Sequence, residues 1–222
     1  MLFLYPKFSV KDMNEELKLI LEKVHELYMR YGIKSITMDD VASHLSISKK
    51  TLYKYVADKD DLVGKVIDMQ INNINNDLDC KNNSNLNAIE ELLVVSKMVN
   101  HKMKQLNPGT FFDLKKYYPV HNERLVKARR DKMYSNIINN IRKGKIEGLY
   151  REELDEDIIA KLQLSRIENI IDNDFFSIEE FTSKKFFQEI FVYQIRGIAN
   201  QKGIDFLENK LQSFDIEDLN NI

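Results

Sequence analysis

The fold is decided by residues 37–56, which read TMDDVASHLSISKKTLYKYV. Thr37 has the character of an N-cap, and Asp40 three positions later completes an aspartate version of the capping box, so a short helix should begin here. Ser46 then interrupts the helical pattern, and Ser48 is a second N-cap residue that predicts another short helix. Two short helices joined by a tight turn are the parts of a helix-turn-helix.

Helical spacing of apolar residues continues on both sides of this stretch. Leu17 to Tyr31 carries one apolar face and is followed by Gly32, which suits a left-handed C-terminal cap. Asp58 should cap a longer helix beyond the stretch, and the polar run Asp79 to Asn87 has the composition of a loop. The predicted helices cover about residues 13–31, 38–45, 49–55, 58–77, 88–105, 110–117, 121–145, 154–172, 182–201 and 203–213.

The composition supports an all-α fold. Only 7 Gly and 3 Pro serve 222 residues, so few tight sheet turns are available. The pattern predicts an N-terminal three-helix domain over residues 13–67, whose helix-turn-helix spans about 37–56. A long fourth helix should join it to a C-terminal helical domain over residues 68–222.

Several classes of protein are disfavoured. The single Cys80 cannot form an internal disulfide or a cysteine-rich metal site, and we expect no cofactor or metal. The apolar start, Met1 to Tyr5, lacks the basic region of a secretory signal, and no apolar run reaches the length of about 20 residues that a membrane helix needs. The expected location is the cytoplasm, without membrane attachment.

Basic charge is concentrated where the helix-turn-helix needs it. The formal net charge of the chain is −2, yet residues 46–59 hold four lysines against one aspartate. The second short helix would enter the major groove of DNA, where lysines reach guanine edges and hydroxyls reach phosphates. The predicted DNA-binding residues are Thr37, His44, Ser48, Lys49, Lys50, Thr51, Tyr53, Lys54, Tyr55 and Lys59.

These residues resemble a known family. The chain resembles the tetracycline-repressor (TetR) family from about Leu17 to Ile67. The resemblance is carried by three stretches: YGIKSITMDDVA from Tyr31, ISKKTLYKY from Ile47 and DKDDL from Asp58. The resemblance implies a homodimeric repressor that binds a palindromic operator in double-stranded DNA and is released by a small-molecule effector. It also implies phosphate contacts for five of the residues above, namely Thr37, Thr51, Tyr53, Tyr55 and Lys59, with Lys49 and Lys50 nearest the bases.

Two positions depart from the family pattern. Ser46 stands where the turn usually has Gly, which implies a conformational cost but the same turn. Lys50 stands where Gly is frequent, so the operator cannot be inferred and nonspecific attraction to DNA should be stronger.

Other functions find less support in these residues. Glu22 and His25 have the Glu-x-x-His spacing of di-iron bundles, but no second pair accompanies them, and no phosphate loop or nucleophile elbow is present. We therefore expect that the protein is not an enzyme. A helical dimeric adaptor or ligand-binding protein that does not bind DNA is the alternative. It is disfavoured by the basic and hydroxyl side chains of the third helix, residues 49–55.

Two expectations concern the C-terminal half. The resemblance to the family implies that the C-terminal domain, residues 68–222, binds the effector and forms the dimer. By the same analogy, Leu154 to Asp172 and Thr182 to Gln201 should pair across a twofold axis as a four-helix bundle. An apolar effector pocket between helices would draw on aromatic side chains. The candidates for its lining are Phe111, Phe112, Tyr117, Tyr118, Tyr134, Phe175 and Phe176.

Overall fold

A computed structural model describes residues 10–77, 85–104, 107–172, 176–177, 180 and 183–213. Across those ranges the chain forms ten α-helices and no strand, which confirms the all-α prediction. The helices are α1 Val10–Tyr31, α2 Met38–His44, α3 Lys49–Leu52, α4 Lys59–Asp77, α5 Ala88–Lys104, α6 Pro108–Tyr117, α7 Pro119–Ile146, α8 Glu156–Asp172, α9 Lys184–Ile198 and α10 Gln201–Ser213. Cys80, Phe175 and Thr182 lie outside the described residues.

The predicted end of α1 is confirmed by its cap. Gly32 adopts a φ of +83°, and its N–H donates to the carbonyl of Tyr28 at 2.9 Å. A left-handed residue at this position lets the chain turn away while satisfying a terminal carbonyl of the helix. The turn toward α2 therefore starts where the sequence placed it.

The second short helix of the helix-turn-helix, here called the recognition helix (α3), is shorter than the sequence predicted. We expected it to reach Tyr55, but α3 ends at Leu52. Beyond it the N–H of Lys54 donates to Thr51 and that of Tyr55 donates to Leu52, each to the carbonyl three residues back, at 3.1 and 3.0 Å. This tighter turn keeps helical spacing of side chains while it winds the backbone differently from an α-helix.

The start of α6 also differs from the prediction. We read Asn107-Pro108-Gly109 as a break before a helix at Thr110, but Pro108 is already helical. Asn107 is the N-cap, and its side-chain oxygen accepts from the N–H of Gly109 at 2.9 Å. Proline is well tolerated in the first turn because its missing N–H would have had no partner there.

The chain packs as two compact units that do not follow its linear order. The first unit combines Met1–Ile74 with Leu106–Arg129, and the second combines Asn75–Gln105 with Arg130–Ile222. The division of function at residue 67 remains a prediction. Packing, however, groups α6 and the beginning of α7 with the helix-turn-helix rather than with the C-terminal helices.

The first unit has one apolar core. Leu52 of α3 is fully buried among side chains of α1 and α4, and Leu114 of α6 and Leu125 of α7 belong to the same cluster. Burying a leucine side chain contributes roughly 1.5–3 kcal/mol. Leu52 thus anchors the short α3, which has too few residues to be stable alone.

The second unit is centred on Tyr150. This side chain is fully buried, and its hydroxyl donates to Asn140 Oδ1 at 3.1 Å. The neighbouring backbone pairs with the end of α9, since the N–H of Arg151 donates to the carbonyl of Ile198 at 3.0 Å and Tyr150 bridges Ala199. The segment before α8 and the end of α9 are therefore fastened together.

Candidate nucleic-acid interface

The N-terminus of α2 is fixed by the predicted capping box. Thr37 Oγ1 accepts from the N–H of Asp40 at 3.2 Å, and Asp40 Oδ2 accepts from the N–H and the hydroxyl of Thr37 at 2.8 and 2.6 Å. The hydrogen bonds from Thr37 lower the pKa of Asp40, so this carboxylate is ionised at neutral pH. Thr37 remains exposed at the start of the helix.

The N-terminus of α3 is capped in the same manner. Ser48 Oγ accepts from the N–H of Thr51 at 3.0 Å and lies 2.8 Å from the Thr51 hydroxyl. The two hydroxyls are therefore held side by side at an exposed helix start. Such groups suit phosphate oxygens, which accept hydrogen bonds from hydroxyls and backbone N–H groups.

The turn between α2 and α3 runs through a left-handed residue. Ser46 has a φ of +55°, and the N–H of Ile47 donates back to the carbonyl of Ala42 at 3.0 Å. This is the Schellman pattern, which usually employs glycine. The expected turn forms with serine in place.

The lysines of this segment differ in their surroundings. Lys49 Nζ lies 2.7 Å from Asp39 Oδ2 on α2, and both side chains are exposed. Lys50 and Lys54 are also exposed, and neither has an ion-pair partner within the part of the chain that the structure describes. The free positive charge of the segment thus rests on Lys50 and Lys54.

The two tyrosines after α3 face different environments. Tyr53 is 47% exposed at the C-cap of the helix. Tyr55 is half-buried against the core of the first unit, and a hydrogen bond to the Glu16 carboxylate of α1, with burial, raises its pKa to about 12. The hydroxyl of Tyr55 therefore contacts α1, whereas Tyr53 is open to solvent.

Lys59 lies at the first turn of α4. Its Nζ donates to the carbonyl of Lys34 at 3.3 Å, and partial burial lowers its pKa. Asp58 caps the helix as predicted, since its Oδ1 accepts from the N–H of Asp61 at 2.8 Å. A cation beside two helix N-termini, at Thr37 and here, gives this face a local attraction for anions.

His44 is exposed in the last turn of α2, and no side-chain hydrogen bond or ion pair joins it to another described residue. The predicted DNA-binding residues therefore lie on the surface of one compact unit, except that Thr51, Tyr55 and Lys59 are half-buried. Their contacts to DNA remain predictions.

The predicted effector residues are divided between the units. Phe111, Phe112, Tyr117 and Tyr118 belong to the first unit, whereas Tyr134 and Phe176 belong to the second. Phe112 is 58% exposed, and the Tyr117 hydroxyl accepts from Lys34 Nζ at 2.7 Å. Within the second unit, Tyr134 donates a hydrogen bond to the Asp157 carboxylate.

Sequence reasoning missed three residues that shape this face, namely Lys34, Asp39 and Asp113. Asp39 was read only as part of a family pattern, although its carboxylate pairs with Lys49. Asp113 Oδ2 accepts from the N–H of Lys34 at 2.8 Å. A charge-pattern argument could have suggested the first contact, but no local signal indicates the second.

Other kinds of site find little support in the described residues. No cluster of three or more His, Cys, Asp or Glu side chains suited to a metal ion occurs among them. No helix among them is both long and apolar enough to cross a membrane.

The geometry of α1 to α4 defines the class of protein. Two short capped helices, joined by a left-handed turn and followed by a long helix, form a helix-turn-helix domain with an exposed basic face. Residues 20–66 match the family model described as bacterial regulatory proteins, tetR family. Over these residues the chain is therefore similar to that family.

Relatives with known sequences agree with this assignment. The helix-turn-helix-type transcriptional regulator YvaF of Bacillus subtilis is 35% identical over 102 residues, which are 46% of this chain and 53% of the relative. A helix-turn-helix-type transcriptional regulator of Staphylococcus aureus is 37% identical over 62 residues, or 28% of this chain and 34% of the relative. The chain thus matches about half the length of the first relative and about a third of the second.

The fold extends the likeness beyond the matched segment. A transcriptional regulator from Cytophaga hutchinsonii superposes with a TM-score of 0.69, covering 83% of this chain and 99% of that one at 19% identity. At this identity the comparison shows a common fold, including the helices that follow the helix-turn-helix.

Proposed function

We propose that the chain is a transcriptional regulator that binds operator DNA through α3 and the N-termini of α2 and α4. The observation that carries the proposal is that Lys50 and Lys54 are exposed and have no ion-pair partner among the described residues, next to the capped starts of α2 and α3. Lysines that neutralise phosphates make binding strongly salt-dependent. Such a protein would act in the cytoplasm, where the DNA is.

The experiment is a selection of duplexes from a random pool, followed by fluorescence anisotropy at several salt concentrations. Lys50→Gln with Lys54→Gln should weaken binding and reduce the slope of log K against log salt by about 0.9 per lost phosphate contact. Lys23→Gln, an exposed lysine on α1, is the control and should change neither. A folded chain that enriches no duplex would instead favour the dimeric adaptor.

We further propose that the protein is a twofold homodimer formed through α8 and α9. Ile158 and Leu162 lie one turn apart on α8 and are 54% and 61% exposed, while Tyr193 on α9 is 72% exposed. The two helices are neighbours in the second unit, since Arg166 donates to Gln194 Oε1 at 2.8 Å. An apolar surface of this kind is commonly covered by a partner.

Light scattering tests the dimer. Wild type should be dimeric at micromolar concentration, and Leu162→Asp should shift it toward monomer. Ile146→Asp changes an apolar side chain at the end of α7 that is 87% exposed, and it should leave the dimer intact. A monomeric wild type in physiological salt would reject this assembly.

Regulation by an apolar or amphipathic small molecule bound in the second unit is the remaining part of the proposal. This unit contains aromatic pairs, Phe187 with Phe191 and Phe176 with Phe186, that could border such a ligand. Binding would lower DNA affinity by a coupling of about 1–3 kcal/mol, which must be reciprocal. Calorimetry should show that operator DNA weakens binding of the effector by the same factor by which the effector weakens binding of the operator. Equal effector affinities with and without operator would mean that the ligand does not regulate DNA binding.

A further inference from the structure

Asp39 occupies an unusual position for a protein that binds a polyanion. Its carboxylate lies on the first turn of α2, two residues from Thr37, and is 71% exposed. It approaches the ammonium of Lys49, the first residue of the recognition helix, at 2.7 Å. A negative charge therefore stands on the face that the proposed function directs toward phosphates.

The neighbouring Asp40 has a different task. Its carboxylate accepts both the N–H and the hydroxyl of Thr37, so it is committed to the helix cap. Asp39 is not part of that cap. Among the described residues its only polar contact is with Lys49, whose pKa it raises through the hydrogen bond.

We propose that Asp39 is a specificity-determining residue, which neutralises Lys49 and thereby weakens nonspecific attraction to DNA. The inference rests on the proposed function. Because Lys49 is paired with Asp39, α3 and the turn after it attract phosphates mainly through Lys50 and Lys54. Specific binding then depends more on contacts to base edges, which carry the sequence information.

Two physical effects act in the same direction. A phosphate that approaches Thr37 is repelled by the nearby carboxylate of Asp39, and Lys49 must leave that carboxylate before it can bind a phosphate. An exposed ion pair adds little to the stability of the fold. Removing the carboxylate should therefore change DNA binding while the domain remains folded.

The test uses Asp39→Asn, which keeps the size of the side chain and removes its charge. At about 0.1 M salt this variant should bind a random-sequence duplex about 5- to 10-fold more tightly, with a salt slope steeper by about 0.9 for one added phosphate contact. Binding to the selected operator should strengthen less, so the ratio of specific to nonspecific affinity should fall. Asp39→Ser is a second variant if the asparagine disturbs folding.

The matched control is Glu22→Gln. Glu22 also forms an exposed ion pair, with Lys18 at 3.8 Å, but on α1. This variant makes the same change in net charge and should alter affinity less than about twofold if position matters.

A double-mutant cycle assigns the effect to the pair. In a Lys49→Gln background, Asp39→Asn should gain about twofold or less, because only the direct repulsion of phosphates remains. An equal gain in both backgrounds, or unchanged or weaker random-duplex binding by Asp39→Asn, would overturn the inference. If neither wild type nor Asp39→Asn binds duplex DNA, the proposed function fails as well.

Discussion

The carboxylate of Asp113 accepts a hydrogen bond from the backbone N–H of Lys34 at 2.8 Å, although the two residues are 79 positions apart. Asp113 lies on α6, and Lys34 lies in the turn that leads from α1 to α2. On the same helix, the Tyr117 hydroxyl accepts from Lys34 Nζ at 2.7 Å. Two hydrogen bonds to residues of α6 thus fix the turn that leads into α2.

The same region of α6 also completes the end of α1. The Thr110 hydroxyl donates to the carbonyl of Tyr28 at 2.7 Å, and Asn107 Nδ2 donates to that of Arg30 at 3.2 Å. The last carbonyls of a helix have no partner within it and need such donors. We infer that α6 is a structural part of the first unit, which contains the helix-turn-helix.

Asp113→Ala should lower the free energy of unfolding by about 1 kcal/mol, the usual net contribution of one hydrogen bond. DNA affinity should fall as well, because the turn before Thr37 loses its anchor. Urea denaturation and anisotropy on the same samples measure the two effects. Lys115→Ala, an exposed residue of α6, is the control; equal losses in both variants would show that Asp113 has no special role.

The local part of this architecture could be predicted from sequence. The caps at Thr37, Ser48 and Asp58 involve partners three residues away, and Gly32 needs only a left-handed backbone. These signals depend on short-range chemistry that neighbouring letters reveal. They placed the helix-turn-helix and its exposed lysines.

The docking of α6 could not be predicted in that way. Its contacts join residues separated by 77 to 83 positions, and the hydrophobic pattern does not say which unit a helix will join. For this reason the sequence alone suggests one pocket for Phe111, Tyr117 and Tyr134. In the structure Phe111 and Tyr117 belong to the first unit, whereas Tyr134 belongs to the second. Tertiary packing decided the outcome.

Gly144→Ala should destabilise the second unit. A Cβ at Gly144 would stand 2.1 Å from Cδ2 of Tyr150, whose ring is fully buried and has little room to move. Overpacking of this kind costs roughly 1–3 kcal/mol. Thermal and urea unfolding followed by circular dichroism would measure the loss.

Gly197→Ala is the matched comparison on α9. A Cβ there meets no atom within 4 Å, so removing the flexibility of glycine should be neutral or stabilise the helix by up to about 1 kcal/mol. If both alanine variants lost the same stability, crowding at Tyr150 would not be the cause.

His25 should make stability depend on pH. Burial, followed by the nearby positive charge of Arg129, lowers its pKa below the ordinary 6.5. The unfolded chain therefore binds the proton more readily, and the free energy of unfolding falls as pH drops below 6.5 toward the lowered value. The contribution is fully present above that range.

Urea unfolding at about pH 7.5 and about pH 5.5 tests this, with a limit of about 1.4 kcal/mol per pH unit for one proton. His25→Gln should reduce the difference between the two conditions. His44→Gln, on the exposed end of α2, is the matched histidine control. An undiminished difference in His25→Gln would assign the pH dependence to other groups.

Ser46→Gly should stabilise the first unit, which contains the helix-turn-helix. Ser46 has a φ of +55°, where a side chain brings Cβ close to the carbonyl and costs about 1–2 kcal/mol, whereas glycine has no such penalty. Because the unfolded chain gains freedom with glycine, the expected net gain is about 0.5–1 kcal/mol.

Ser46→Val should lose more than about 1 kcal/mol, since a β-branched side chain is least compatible with positive φ. Ser43→Gly, inside α2, supplies the opposite control and should cost about 0.5 kcal/mol through lower helix propensity. Chemical denaturation of the three variants measures these differences, and a Ser46→Gly protein less stable than wild type would mean that the serine side chain compensates for its backbone strain.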